Sequence, residues 1–111
     1  HIDYYCPSHE GNLPDCGSIG LMLEKTTGIK SSGNFGKPSQ LMTEYIKNMI
    51  NENDKNILVG DRIHTDIEIG RKLGAKTILV CSGEFKRNEA INTDIYETEI
   101  YDTLSDFLRT L

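Results

Sequence analysis

The chain has 111 residues, of which 37% are apolar and 26% charged, with a formal net charge of −5; this is the size and balance of one soluble globular domain. The acidic balance leaves no electrostatic footprint for nucleic acid or an anionic membrane surface. No apolar run approaches the roughly 20 residues that a membrane-spanning helix requires.

The N-terminus is polar and shows no signal-peptide pattern, and a first residue of His1 rather than Met reads as a boundary, not a natural start. Ile2 to Cys6 reads as a short strand, followed by a polar loop from Pro7 to Pro14. Asp15 is placed to cap a helix with Ile19, Met22 and Leu23 on one face, and Gly28 to stop it. Lys30 to Gly36 is a link rich in Ser and Gly. Pro38 suits the first position of the next helix, where its missing N–H costs nothing. Leu41, Met42, Tyr45, Ile46, Met49 and Ile50 then form one continuous apolar stripe. Ile57, Leu58 and Val59, ending at Gly60-Asp61, read as a strand buried on both faces of a parallel sheet. Thr65 and Glu68 make a T-x-x-E capping pair for a helix running to about Leu73, with Gly74 ending it. Lys76 to Cys81 is a second buried strand, with a turn at Ser82-Gly83. A short helix over Arg87 to Ile91, an edge strand over Glu99 to Tyr101, and a last helix follow. Asp102 or Thr103 would cap that helix, with Leu104, Phe107, Leu108 and Leu111 inward. Alternating elements with short links predict an α/β fold with a parallel sheet, whose ligands sit at the carboxyl ends of the strands, where Asp61 lies.

Cys6, Cys16 and Cys81 are odd in number and scattered, with no C-x-x-C pair. They read as free thiols of a cytoplasmic protein, with Cys81 a small core residue, and not as a metal framework.

Two constellations bear chemistry. Asp61 and Asp66 leave the end of a buried strand five residues apart, and hard carboxylate oxygens at such a place suit Mg²⁺, with waters and phosphate oxygens completing its shell. The plainer alternatives are that Asp61 is a turn residue and that Asp66 caps its helix. Gly36-Lys37-Pro38-Ser39 sets a point charge beside the N–H groups of a helix start, an anion cradle, unless Lys37 is simply solvated. It is not a phosphate-binding Walker loop, because Ser31 stands where the first Gly is needed and Pro38 where Ser or Thr is needed. His64 has no Ser or Cys nucleophile to serve and reads as a solvated loop histidine.

Together these segments resemble the haloacid dehalogenase (HAD) superfamily. Gly-Lys-Pro-Ser at 36–39, Ile-Leu-Val-Gly-Asp-Arg-Ile-His-Thr-Asp-Ile at 57–67 and Thr-Ile-Leu-Val-Cys-Ser-Gly at 77–83 look like its third and fourth motifs. The wording is that of the 4-nitrophenylphosphatase, phosphoglycolate and pyridoxal phosphatase branch. Pro7 to Ile19 looks like that branch's cap domain just before it returns to the core. The resemblance implies a partial Rossmann-like core over 32–111 and a cap remnant over 1–31. It implies that Gly36 and Lys37 meet the phosphoryl group and that Lys37 is catalytic. Asp61 would bind Mg²⁺ directly, and Asp66 would hold a metal-bound water or position the neighbouring loop. The implied reaction is hydrolysis of a small phosphorylated metabolite through an aspartyl-phosphate.

The superfamily's nucleophile lies in a D-x-D-G motif after an early strand. No two aspartates here are spaced by two: they are Asp3, Asp15, Asp54, Asp61, Asp66, Asp94, Asp102 and Asp106. The expectation is therefore a C-terminal fragment of a phosphatase, inactive alone and with weak or absent Mg²⁺ binding. The missing strand should be central in the sheet, between elements present here, leaving an exposed edge. The alternative is a non-catalytic module that pairs, with itself or another chain, through that edge. A phospho-accepting receiver domain is disfavoured, because its lysine comes late and Lys37 precedes Asp61.

Overall fold

The computed structural model describes residues 1–51, 53–88, 95 and 97–111. The first element is not one strand but a hairpin, β1 (Tyr5–Ser8) with β2 (Gly11–Pro14), antiparallel with Ser8 opposite Gly11. Gly11 has φ 119°, a value glycine alone adopts freely, and Ser8 Oγ donates to its carbonyl at 2.6 Å. The hairpin replaces the loop expected over Pro7 to Pro14. Both strands are exposed throughout, so no apolar alternation announced them.

Asp15 does cap α1 (Cys16–Thr27), its carboxylate accepting from the Cys16 N–H, and Gly28 ends it in the left-handed conformation. The expected inner face is not buried: Ile19, Met22 and Leu23 are 49%, 58% and 53% exposed. Among the described residues nothing is packed over them.

α2 (Gln40–Lys47) begins two residues later than Pro38 suggested. Ser39 is the cap, its hydroxyl accepting from Met42 N, and Pro38 lies before it in a cis peptide bond with Lys37. A side-chain oxygen that takes a free N–H fixes a helix start more firmly than a residue that merely lacks one. Of the apolar stripe, Met42, Ile46 and Ile50 are half-buried, while Leu41, Tyr45 and Met49 are exposed.

β3 (Ile57–Gly60), β4 (Lys76–Val80) and β5 (Thr98–Tyr101) form a three-stranded parallel sheet in that order. This α/β architecture is the one the alternation predicts. β4, in the middle, is buried from Thr77 to Val80, whereas β3 is a half-covered edge whose Ile57 is exposed. The reading of β3 as buried on both faces is thus corrected: Ile57 is exposed and Leu58 to Gly60 are only half-buried, and among the described residues β3 pairs with β4 alone. The three strands are hydrogen-bonded neighbours, so no further strand fits between them; one can join only at an edge.

Between β3 and β4 the chain makes a wide, π-type turn over Ile63–Ile67 and continues as α3 (Glu68–Lys72), with Gly74 at φ 66° closing it. The predicted Thr65–Glu68 capping pair opens neither element: the π-type turn begins after Arg62, and α3 follows it directly from Ile67. Only Arg87 and Asn88 of the expected short helix lie within the described residues. α4 (Leu104–Leu108) carries a full capping box of Thr103 and Asp106. Phe107 alone of its apolar residues is buried; Leu104, Leu108 and the trailing Leu111 are exposed.

Two apolar clusters sandwich the sheet. Ile78, Val80 and Phe107 pack on one side with Val59 and Tyr101, and the Tyr101 and Phe107 rings lie 5.3 Å apart. Ile67, Leu79 and Phe85 pack on the other with Ile63, Cys81, Ile95 and Ile100. Phe107 therefore anchors α4 by itself. Phe107→Ala should cost about 3–5 kcal/mol, whereas Leu108→Ala, on the exposed side of the same helix, should cost under about 0.5 kcal/mol. Urea unfolding of the two variants checks this, and equal losses would mean that α4 is held some other way.

Candidate active site

The carboxyl end of β3 delivers Gly60-Asp61 beside the end of β4 and the Gly36-Lys37 turn, so residues more than twenty positions apart in sequence meet. Asp66 is at the centre. It is 5% exposed, and its Oδ2 accepts from the Asp61 N–H at 3.2 Å and the Arg62 N–H at 3.1 Å. Lys37 Nζ donates to its Oδ1. Asp66 thereby satisfies the free donors at the start of the turn from inside, which is why Thr65 is not needed as a cap. Gly60 makes room for this: a Cβ there would run into the Asp66 side chain, with Oδ2 at 2.6 Å.

Asp61 points the other way, to the loop after β4. Its Oδ2 accepts from the Glu84 N–H at 2.7 Å, and its carbonyl accepts from the Phe85 N–H at 3.1 Å. A Cβ on Gly83 would overlap the Asp61 carboxylate, with Asp61 Cβ at 2.6 Å. Beneath both loops lies the Ile67–Leu79–Phe85 cluster; Ile67 adjoins Asp66 and Phe85 adjoins Glu84. The apolar core thus sets the polar site directly above it.

Arg62 spans the opening. Its Nε lies 2.5 Å from Glu84 Oε2, and Nη1 lies 3.6 Å from Asp3 Oδ2. Partial burial pulls its pKa down, but attraction and hydrogen bonding to Glu84, with Asp3 and Asp61 nearby, outweigh this and raise it. Asp3 in turn pairs with His1 at 3.3 Å. Neither Arg62, Glu84 nor Asp3 stood out in the sequence, since single charges in loops carry no periodic signal.

The sequence-derived residues divide as follows. Lys37, Asp61 and Asp66 line one cleft of about 640 Å³ together with Asp3 and Arg62. Gly36 lines it too, but its N–H already donates to Asn34 Oδ1 at 2.7 Å. His64 is exposed and lines a neighbouring cleft of about 840 Å³. All three cysteines are free. Cys16 is not as isolated as its position in sequence implied: one ligand atom each from His1, Asp15 and Cys16 falls within 4.8 Å of the others, at the exposed start of α1. Asp15 Oδ1 is there taken by the Cys16 N–H at 2.7 Å.

The donor set fits a hard divalent cation. Asp61 Oδ1 has no hydrogen-bond partner among the described residues, whereas both oxygens of Asp66 are engaged. The side chains of Lys37 and Arg62 share this cleft with the carboxylates of Asp3, Asp61 and Asp66, and Glu84, paired with Arg62, lines the neighbouring one. A phosphate dianion would meet these carboxylates at close range, and an accompanying cation would offset that repulsion.

Close approach at Gly83 is directly testable. Gly83→Ala should destabilise the fold by about 1–3 kcal/mol through overpacking against Asp61. Gly20→Ala, in α1 with open space at its Cβ, should instead stabilise by up to about 1 kcal/mol. Thermal melts of the pair would show opposite signs; a neutral Gly83→Ala would mean that the loop does not press on Asp61.

Residues 34–107 match the family described as HAD-hydrolase-like. The chain is 30% identical over 101 residues to the dihydroxyacetone phosphatase of Corynebacterium glutamicum (strain R), covering 90% of this chain and 36% of that enzyme. It superposes with a TM-score of 0.74 and 32% identity on the crystal structure of 4-nitrophenylphosphatase from Thermotoga maritima, over 98% of this chain and 42% of that one. It also superposes on the glycerol phosphate phosphatase of Mycobacterium tuberculosis crystallised in complex with magnesium, with a TM-score of 0.63 and 29% identity, over 91% of this chain and 31% of that one. The chain thus spans about two fifths or less of each relative's length. With the family match running from Asn34 to Phe107, through both loops of the site, the chain belongs to the HAD-hydrolase-like family.

Proposed function

We propose that these residues form part of a Mg²⁺-dependent phosphatase for small phosphate monoesters. The observation that carries this reading is the convergence of the Lys37 ammonium with the Asp61 and Asp66 carboxylates at the carboxyl end of β3. The curated enzyme and the two solved relatives named above are themselves called phosphatases.

In this reading Asp61 Oδ1 is the direct oxygen ligand. Asp66 would position the loop and orient Lys37, to which its oxygens already bond, or would hold a water of the metal's shell. Lys37 neutralises an incoming phosphoryl oxygen and the attacking carboxylate, with Gly36 beside it in the same cleft. The bound Mg²⁺ would supply positive charge to the phosphoryl oxygens. Transfer of this kind rests mainly on positioning and charge. The nucleophile of an aspartyl-phosphate route is not within residues 1–111, which contain no Asp-x-Asp pair. Residues 1–31, with their uncovered hairpin and α1, are read as derived from a cap domain, and 32–111 as the C-terminal half of the core; the family match over 34–107 supports the second. No helix among the described residues is long and apolar enough to cross a membrane, and a cytoplasmic enzyme is the reading in keeping with three free thiols.

The purified 111-residue chain should release no phosphate from p-nitrophenyl phosphate with Mg²⁺ present; Mg²⁺-dependent turnover by the chain alone would refute the assignment of the nucleophile elsewhere. In the protein with its flanking sequence retained, Lys37→Met should lower kcat by about 10²–10³-fold, read in a steady-state assay.

A second reading rests on the edge of β3, which pairs only with β4 among the described residues, beside a molecule with many exposed apolar side chains. Such an edge can recruit a strand from a second copy. Light scattering of the 111-residue chain should then show mass rising with concentration, and a monomer throughout the range would exclude it.

A further inference from the structure

Arg62 joins three parts of the molecule that the proposed reaction needs in register. Its main-chain N–H is held by Asp66 Oδ2 at 3.1 Å, so its backbone belongs to the Lys37–Asp66 cluster. Its side chain reaches across to Glu84 Oε2 at 2.5 Å. The main-chain N–H of that same Glu84 donates to Asp61 Oδ2 at 2.7 Å, which is the one hydrogen bond to the Asp61 carboxylate among the described residues. The far side of the guanidinium faces Asp3 at 3.6 Å, and Asp3 lies just before the β1–β2 hairpin. The four groups close a loop: Asp66 fixes Arg62, Arg62 fixes Glu84, and Glu84 fixes the rotamer of Asp61.

We propose that Arg62 is a positioning residue, which sets the Asp61 carboxylate through Glu84 and ties that setting to the docking of Asp3. The proposal rests on the reading of Asp61 as a metal ligand. Arg suits the task better than Lys, because its planar fork can meet two carboxylates from different directions at once. An isolated, half-exposed ion pair contributes little to stability, so the effect expected is on geometry at Asp61 rather than on the fold. Groups that orient a metal ligand commonly change metal affinity by about 10–100-fold when removed. The Asp3 limb has a further consequence. A shift of the segment before the hairpin would slacken Arg62, and through Glu84 would loosen Asp61, so the N-terminal unit is coupled to the Asp61 carboxylate through its contact with Arg62.

The test uses the protein with its flanking sequence retained, and two readouts. One is the Glu84 backbone amide, followed by NMR shift and hydrogen exchange without metal. The other is the Kd for Mg²⁺ alone, from calorimetric titration. Arg62→Gln should speed exchange of the Glu84 amide and weaken Mg²⁺ about tenfold, with an unchanged melting temperature. Glu84→Gln should do the same, and the double variant should be no worse than either single one, because the two act as one link. Asp3→Asn should give a smaller change in the same direction, and Arg62→Lys should recover part of the loss. An Arg62→Gln protein with the parental Glu84 amide and parental Kd would overturn the proposal, as would full additivity of the Arg62 and Glu84 substitutions. Asp61→Asn separates the two levels. If it binds Mg²⁺ as tightly as the parent, the metal reading of Asp61 falls and the proposal with it, whereas the Glu84 amide still reports whether Arg62 controls that loop.

Discussion

Burying a carboxylate costs several kcal/mol unless its charge is met and its oxygens are hydrogen-bonded. Asp66 meets both conditions: Lys37 takes one oxygen, and the N–H groups of Asp61 and Arg62 take the other. Each bond constrains a different piece of chain. The Lys37 bond pins the turn before α2 against the end of β3, across 29 residues of sequence. The two N–H bonds force the backbone after Gly60 into a tight wrap around the carboxylate, and the wide turn over Ile63–Ile67 follows from that wrap. Removing either side would leave a charge or donors buried without a partner, so the arrangement is kept whole or lost whole.

The apolar layer beneath makes the wrap reproducible. Ile67 and Leu79 are fully buried and Phe85 nearly so, and they fix the two loops that carry Asp66 and Glu84. A close-packed core transmits small displacements instead of absorbing them. The glycines at 60 and 83 are the reverse of this constraint: both loops approach so closely that a Cβ at either place would occupy space held by an aspartate side chain. Core, glycines and carboxylates are therefore one mechanical unit, with Arg62 as its external brace.

The N-terminal unit is built differently. The hairpin and α1 have regular hydrogen bonding and a sound cap at Asp15, yet contribute no buried apolar residue to a core. The Asp15 and Gly17 N–H bonds to the Tyr4 and Asp3 carbonyls and the His1–Asp3 contact tie the unit together internally, and its charged contact with the rest runs from Asp3 to Arg62. Charged and hydrogen-bonded contacts with half-exposed side chains are weak one by one and sensitive to salt. This is the composition of a joint that can move, in contrast to the packed region behind the site.

Local chemistry was enough to read several elements. Asp15 and Gly28 bound a helix because a side-chain acceptor and a residue free at positive φ act within a few positions. The run from Thr77 to Val80 declared a buried strand because only apolar neighbours tolerate it. The motifs around Lys37, Asp61 and Asp66 announced the family, since their residue types and order survive in the linear chain. What the tertiary structure decided was everything that depends on partners far away in sequence. The exposed hairpin carries no apolar rhythm. β3 reads as buried on both faces but is only half covered, because face burial depends on what packs over the sheet from elsewhere in the chain. Thr65 reads as a cap, yet Asp66 takes that role from inside the turn. Arg62, Glu84 and Asp3 acquire their meaning only from folding, because a charge–charge contact is set by distance in space, and sequence separation says nothing about it.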